Sequence, residues 1–378
     1  MYISRAIEKS FLKKLKPNKV LVLLGARRIG KTSFIKKVLL NFKKDVLEIN
    51  GEDFSTIEIL KNRTVENYKR LIGTKTILFI DEAQNVPDIG NILKLMVDEI
   101  KGIKIIVTGS SMFDLKTKLG EPLTGRKTTF LLYPLAQMEF SQTETLIQTK
   151  SRLEERLLFG AYPELLQYKS DTDKVNYLKE LVNDYLFKDI LAFEGVKNAS
   201  KLVDLLRLIA FQIGKEVSME ELGRQLGMSK NTVERYLDLL AKTFVVFKLQ
   251  GFSRNLRNEI TKSSKWYFCD IGIRNTLIAN FNSINLRNDV GELWENYVIA
   301  ERIKYQQYKG ILVNNYFWRT HQQQEIDWIE DGNGKLFAYE IKWNEKKQIK
   351  APGAWQQAYP DSKFELITPK NYLNWICD

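Results

Sequence analysis

The chain has 378 residues, a net charge of +12, two cysteines and one histidine. That length supports two or three domains. Cys269 and Cys377 lie far apart and His321 reads as a loop residue, which excludes a disulfide framework, a cysteine zinc site and a multi-histidine metal site, and points to a reducing cytoplasm. No apolar run approaches the roughly 18 residues of a membrane span, and the mixed-charge N-terminus (MYISRAIEKSFLKKLK) lacks the apolar core and cleavage site of a signal peptide.

The first strong element is Lys19–Leu24 (KVLVLL), which reads as a short buried strand. Gly25-Ala26-Arg27-Arg28-Ile29-Gly30-Lys31-Thr32 follows and fits the phosphate-binding loop G-x-x-x-x-G-K-[ST] without a mismatch. From Thr32 to Phe42, Phe34, Ile35, Val38, Leu39 and Phe42 recur at helical spacing. A glycine-bearing strand-to-helix turn of this kind lets backbone N–H groups wrap a phosphate at a helix N-terminus. Gly25, Arg28, Gly30, Lys31, Thr32 and Ser33 are therefore expected around ATP, with Lys31 on the β- and γ-phosphates and Thr32 on magnesium.

Ile77–Ile80 (ILFI) reads as a second buried strand ending in Asp81-Glu82. Asp81 is expected to help hold magnesium, and Glu82 to polarise the attacking water, which separates hydrolysis from binding. A third strand, Lys104–Val107, leads into Thr108-Gly109-Ser110-Ser111. Ser110, or alternatively Thr108, is placed to sense the γ-phosphate; an ordinary polar turn is the competing reading. Strands alternate with helices up to Tyr133-Pro134-Leu135, which predicts an α/β domain with a mostly parallel sheet over 1–145.

Helical spacing dominates from Ser151 to Leu208. Ser218 to Leu226 and Ser229 to Leu237 then read as a helix-turn-helix about Gly227-Met228, with Ser218 and Ser229 as caps and Val233, Leu237 and Leu240 facing a core. Lys230, Asn231, Thr232 and Arg235 fall on the outer face of the second helix, where a recognition helix meets DNA. Thr243–Leu249 and Lys265–Phe268 are expected to flank a wing, with Arg254, Arg257, Lys262 and Lys265 between them. Such a winged helix over 146–285 also serves, in other ATPases, as a lid or protein contact.

In 286–378 a helix containing Gly291–Val298 precedes a strand at Asn315–Arg319 and a hairpin, Glu325–Ile329 and Phe337–Lys342, turning at Gly332-Asn333-Gly334. Period two puts Glu340 and Lys342 on one face. Asp327 and Glu340, with Glu295 from the helix, are the carboxylates that would hold magnesium or manganese, and Lys342 the lysine that would activate water against a phosphodiester. These residues satisfy, in order, the needs of a restriction-endonuclease-like α/β core. Solvated Glu and Lys on a strand face are the alternative. Net charge is +9 over 1–145 (25 Lys/Arg, 16 Asp/Glu), +4 over 146–285 (21 and 17) and −1 over 286–378 (12 and 13), so the third region offers little to hold a DNA backbone.

Taken together, GARRIGKTS (25–33), LFIDEAQ (78–84), VTGSS (107–111), LTGR (123–126), YPL (133–135), GAYPE (160–164), WENYV (294–298), EIDW (325–328) and YEIK (339–342) make the chain resemble a family of prokaryotic AAA-type ATPases. In that family a P-loop domain is joined to a winged-helix region and a C-terminal PD-(D/E)xK nuclease-like domain of unknown function. The resemblance covers nearly the whole chain. It implies an ATP-dependent function, with Arg126 as a phosphate-sensing or trans-acting arginine of the kind that can raise turnover roughly 10³- to 10⁵-fold. A surface arginine after a glycine turn is the alternative for Arg126. The reading is an ATPase using ATP and magnesium with DNA as partner and DNA cleavage left open; the alternative is an ATP-switched, non-cutting module that contacts DNA, a protein partner or further copies of itself.

Overall fold

The computed structural model describes residues 2–110, 122–183, 198–253, 264–320, 322–346 and 349–377. The chain divides into two compact units, one of 2–135 with 242–244, the other of 136–241 with 245–377. His321, Arg254, Arg257 and Lys262 lie outside the described residues. Among the described residues no helix is long and apolar enough to cross a membrane.

The first unit is built on five strands: β1 Lys19–Leu24, β2 Val46–Asn50, β3 Ile77–Asp81, β4 Lys104–Gly109 and β5 Lys127–Leu131. All pair in parallel, in the order β2-β3-β4-β1-β5. A parallel sheet is covered on both faces, which is why β1, β3 and β4 are continuous apolar runs rather than alternating ones. Every strand points the same way, so the residues after β1, β3 and β4 gather at one edge, where open α/β sheets bind ligands. The helix after β1 runs Lys31–Val38, shorter than the spacing predicts. Leu39 turns out of helical geometry and its N–H is shared between Ile35 and Lys37 carbonyls, so the chain tightens into a 3-10 turn over Leu40–Asp45 and Phe42 is only half-buried. The amphipathic N-terminus forms the helix Glu8–Lys14, whose Phe11 meets the rings of Phe34 at 5.3 Å and Phe130 at 5.0 Å.

The second unit holds the helices Ala199–Phe211, Met219–Leu226 and Lys230–Lys242 and a seven-stranded sheet. Its strands are β6 Glu216–Val217, β7 Val246–Gly251, β8 Ser264–Phe268, β9 Asn314–Arg319, β10 Glu325–Gly332, β11 Lys335–Ile341 and β12 Lys363–Ile367, ordered β12-β11-β10-β9-β7-β8-β6. The β7–β9 and β11–β12 pairs are parallel and the others antiparallel. The strands beside the helix pair and those of the last ninety residues thus share one sheet. Gly332 and Lys335 close the β10–β11 hairpin around Asn333 and Gly334, both with positive φ (51° and 72°), the two-residue turn that matches strand twist. The helix over WENYV runs much further than expected, Val290–Lys309.

The helix pair has the predicted local chemistry. Ser218 Oγ accepts from Glu221 N at 3.3 Å and Ser229 Oγ from Thr232 N at 3.2 Å. Val233, Leu237 and Leu240 are buried. Gly227 has φ 61° and caps the first helix in the left-handed region. Lys201 Nζ donates to its carbonyl at 2.9 Å. The GAYPE segment is a receptor for the next helix: Asp270, capping Ile271–Leu277, accepts from Ala161 N at 2.8 Å and Gly272 N at 2.9 Å. A Cβ at Gly160 would lie 2.0 Å from Asp270 Oδ1.

Candidate functional sites

The loop after β1 closes over its own lysine. Gly30 stands at φ 88° before the helix, a conformation open to glycine, and Arg28 carries φ 58°. A Cβ on Gly25 would lie 2.1 Å from the Leu132 carbonyl oxygen, so the loop fits there only without a side chain. Lys31 is 5% exposed and its ammonium donates to the Gly25 and Ala26 carbonyls at 3.0 and 2.9 Å. Arg28 and Ser33 are exposed at the loop and the first helical turn. Arg5, far from every motif, is buried and donates to Ile29 O at 3.0 Å and to Tyr133 O at 2.5 Å, tying the N-terminal segment to the loop. Nothing in its sequence neighbourhood signals that role.

The acids after β3 meet this loop directly. Thr32 Oγ1 donates to Asp81 Oδ2 at 2.8 Å, and Thr108 donates to the other carboxylate oxygen. Thr108 Oγ1 also accepts from Glu82 N at 3.0 Å, so both sides of its hydroxyl are used within the protein. Glu82 is left-handed (φ 50°, ψ 44°). Gly51 packs so closely that a Cβ there would lie 2.5 Å from the Glu82 carbonyl oxygen. Ser110 sits on the other side, accepting from Gln84 Nε2 at 3.3 Å, while the same amide donates to Glu82 Oε2 at 2.5 Å. Lys31, Thr32, Asp81, Glu82 and Ser110 are thus gathered at one sheet edge. A hydroxyl and a carboxylate at hydrogen-bond distance are hard oxygen donors of the type magnesium takes, so Thr32 and Asp81 fit that ion.

Arg126 is not gathered there. It precedes β5, and its carbonyl accepts from Val20 N at 2.9 Å at the start of β1. Six residues of strand, about 20 Å, separate that end from the loop after Leu24. Sensing phosphates held by its own chain is therefore corrected: the parallel register places Arg126 at the opposite edge, where its guanidinium forms a two-point pair with Asp98 at 2.7 and 3.2 Å.

In the second unit the hairpin carboxylates do converge. The β10–β9 register shifts between Ile326 and Ile329, so Asp327 falls in a bulge, a device that re-aims side chains. Asp327 Oδ2 accepts from Ile341 N at 2.8 Å and from Lys342 Nζ at 3.0 Å, and Lys342 pairs with Glu340 Oε1 at 2.7 Å. Glu295 arrives from the long helix, held by the Tyr267 hydroxyl, which donates to Oε1 at 2.6 Å. Asn296 beside it pairs both ways with the Phe268 backbone, at 2.7 and 2.9 Å, fastening that helix to β8.

Burial, then the charge of Asp327, lifts Glu295 to about 7 from the ordinary 4.5. The same two causes raise Glu340. Burial works against the Lys342 ammonium, but Asp327 and Glu340 outweigh it and its pKa is raised. The expected metal set of Asp327, Glu340 and Glu295 is corrected in one respect. Among the described residues no group of three ligating side chains is placed to hold a metal ion, and the Lys342 ammonium bridges Asp327 and Glu340. Lys265, read from sequence among the basic residues of a wing, is instead 2% exposed and paired with Glu325, with Glu295 Oε1 at 3.8 Å. A lysine inside the five-residue buried strand SKWYF was the available signal.

On the outer face of the second helix Lys230, Asn231 and Arg235 are exposed and Thr232 is half-buried. Lys230 pairs with Glu220 at 2.8 Å, a contact between two exposed side chains that is weak in water.

Comparison with known families finds three matching segments, the second and third of which lie, apart from 242–244, within the second unit. Residues 17–141 match the AAA domain family, 150–284 a domain of unknown function (DUF8612) and 290–373 another (DUF4143). The chain is 26% identical to the uncharacterized protein MJ1544 of Methanocaldococcus jannaschii over 392 aligned positions, covering 97% of this chain and 85% of that one. It is 28% identical to the uncharacterized protein Rv2008c of Mycobacterium tuberculosis over 330 positions, covering 85% and 70%. Among solved structures, the Thermotoga maritima RuvB Holliday junction branch migration motor is similar at 15% identity, covering 68% of this chain and 91% of that one with a TM-score of 0.33, too low to bear on the site. The match and the loop geometry agree: residues 17–141 are an AAA-type P-loop ATPase-like domain, and residues 290–373 carry the DUF4143 domain.

Proposed function

We propose that the chain binds ATP with magnesium at the loop Gly25–Thr32 and hydrolyses it, and that turnover acts on DNA through the helix pair Met219–Leu226 and Lys230–Lys242. One observation carries the ATPase reading: Thr32 hydrogen-bonds Asp81 beside a buried Lys31 at a helix N-terminus. Lys31 would leave the loop carbonyls for phosphate oxygens, and the backbone N–H groups after Gly25 would cradle the β-phosphate. Thr32 and Asp81 would hold magnesium, which when bound offsets phosphate charge and orients the transferred group. Glu82 would polarise the attacking water. The outer face, with Lys230, Asn231 and Arg235 exposed and Thr232 half-buried, supports a winged-helix contact with DNA, to which Arg254 and Arg257 would add charge.

The order helix, β9, β10, β11, helix Gly353–Ala358, β12 and the convergence of Asp327, Glu340, Lys342 and Glu295 support a nuclease-like domain. The Lys342 bridge across both carboxylates favours the second reading, an ATP-switched module that contacts DNA or a protein without cleaving.

The test is ATP hydrolysis and DNA cleavage with magnesium or manganese, measured for wild type, Lys31→Ala, Glu82→Gln and Asp327→Ala, with and without DNA. The expected result is turnover raised by DNA, lost in Lys31→Ala together with nucleotide binding, and cut about 10²- to 10⁴-fold in Glu82→Gln with binding kept. Wild type without turnover sinks the ATPase reading. Cutting that disappears in Asp327→Ala makes the protein a nuclease; no cutting of single-stranded, duplex or branched DNA leaves the switch.

A further inference from the structure

Gln84 stands two residues past Glu82, in a 3-10 turn over Ala83–Asn85, and none of the roles above uses it. Its amide nitrogen carries two hydrogens, and both are directed: one to Glu82 Oε2 at 2.5 Å, the other to Ser110 Oγ at 3.3 Å. The Glu82 backbone is fixed on two sides, by Thr108 Oγ1 at its N–H and by Asn85 N, which donates to its carbonyl at 3.1 Å. The carboxylate direction is therefore left to the side chain, and Gln84 is the group that sets it. Ser110 completes the pattern. Its oxygen accepts from Gln84, and among the described residues its own O–H has no acceptor, while the Thr108 hydroxyl is fully used by Asp81 and Glu82. Of these two hydroxyls, Ser110 is thus the one left to donate to a phosphate oxygen.

We propose that Gln84 is a positioning residue that joins Ser110 to Glu82, so that a γ-phosphate accepting from Ser110 orients the carboxylate that polarises the attacking water. The inference rests on the hydrolysis reading above. The chain of donors runs one way. Phosphate accepts from Ser110, Ser110 accepts from one amide hydrogen, and Glu82 accepts from the other. ADP lacks the first acceptor, so the chain distinguishes the two nucleotides without any atom of Gln84 touching either.

The experiment is steady-state ATP hydrolysis with magnesium for wild type, Gln84→Ala, Ser110→Ala, the double variant, Gln84→Asn and Gln84→Glu, alongside binding of a fluorescent ATP analogue. Expected are kcat losses of roughly tenfold in each single alanine variant, with KM and analogue binding within about twofold of wild type for Gln84→Ala. The double variant should be no slower than the slower single, because residues acting as one unit are non-additive. Gln84→Asn, with the same amide one methylene shorter, loses kcat too. Gln84→Glu loses more than alanine, since a carboxylate cannot donate to Glu82 and repels it. Unchanged kcat in Gln84→Ala, losses that multiply in the double variant, or changes confined to KM overturn the proposal while leaving ATP hydrolysis standing. A wild type that binds the analogue but does not turn ATP over, with Lys31→Ala abolishing binding, overturns the hydrolysis reading and this proposal with it.

Discussion

Single residues differ in how far their neighbours in sequence announce them. Lys31, Thr32 and Asp81 were legible because their motifs encode the local backbone that aims them, and Thr32 and Asp81 do meet at 2.8 Å. Arg5, Tyr267 and Lys265 were not, because each acts on a partner from a distant element, and nothing within a few residues of them carries that information. Glu295 shows how burial turns such a residue into a pH-dependent one. As pH rises past the ordinary glutamate value of 4.5 the unfolded chain gives up this proton, while the folded protein keeps it up to about 7. Stability therefore falls across pH 4.5–7 on account of this group and stays reduced above it. A tenfold difference in proton affinity between the two states is worth about 1.4 kcal/mol. Glu295→Gln, always neutral, is therefore expected to be more stable than wild type at pH 8 by ~1–3 kcal/mol and equal to it near pH 4. Urea unfolding of both proteins at the two pH values checks this; a variant less stable at pH 8 contradicts it.

Elements follow their sequence pattern until a neighbour intervenes. β1 spans Lys19–Leu24 as its apolar run predicts, because a buried parallel strand needs little beyond such a run. The following helix stops at Val38, four residues before the apolar spacing does, and the long helix extends to Lys309 where sequence marked only its first half. The bulge at Asp327 is invisible in the alternation of EIDWI, since it is a property of the pairing with β9 and not of either strand. The helix pair depends on one close approach: a Cβ on Gly223 would lie 2.6 Å from the Met228 carbonyl oxygen in the turn. Backbone cannot yield there as a flexible side chain can. Gly223→Ala is expected to destabilise the second unit by ~1–3 kcal/mol and, on the proposed DNA contact, to weaken DNA binding more than exposed Gln225→Ala does. Thermal melts and a DNA-binding titration of both variants test it, and equal behaviour would refute the close packing.

At the scale of the molecule, the seven-stranded sheet joins the strands flanking the helix pair to those of the hairpin, so the carboxylate cluster draws residues from β8, β10, β11 and the long helix. Lys265 is the charge on which that junction rests. It is almost wholly buried, pairs with Glu325 and lies over the Phe317 ring at 5.3 Å. Removing one partner of a buried ion pair leaves the other uncompensated, so Lys265→Met is expected to cost ~3–5 kcal/mol in denaturant unfolding. A neutral outcome would mean the carboxylates recover water or protons at little cost.

The sequence by itself determined the glycine-bearing loop Gly25–Thr32, the Asp81-Glu82 pair and the apolar strands that carry them, because each depends on residues within one strand, turn and helix. It also determined which carboxylates and lysine lie on the hairpin. Only the tertiary structure decided that Arg126 lies at the far edge of its sheet, that Lys265 faces inward, that Lys342 spans Asp327 and Glu340, and that Gln84 stands between Glu82 and Ser110. Those outcomes turn on strand order, register and burial, which arise from contacts between residues tens to hundreds of positions apart.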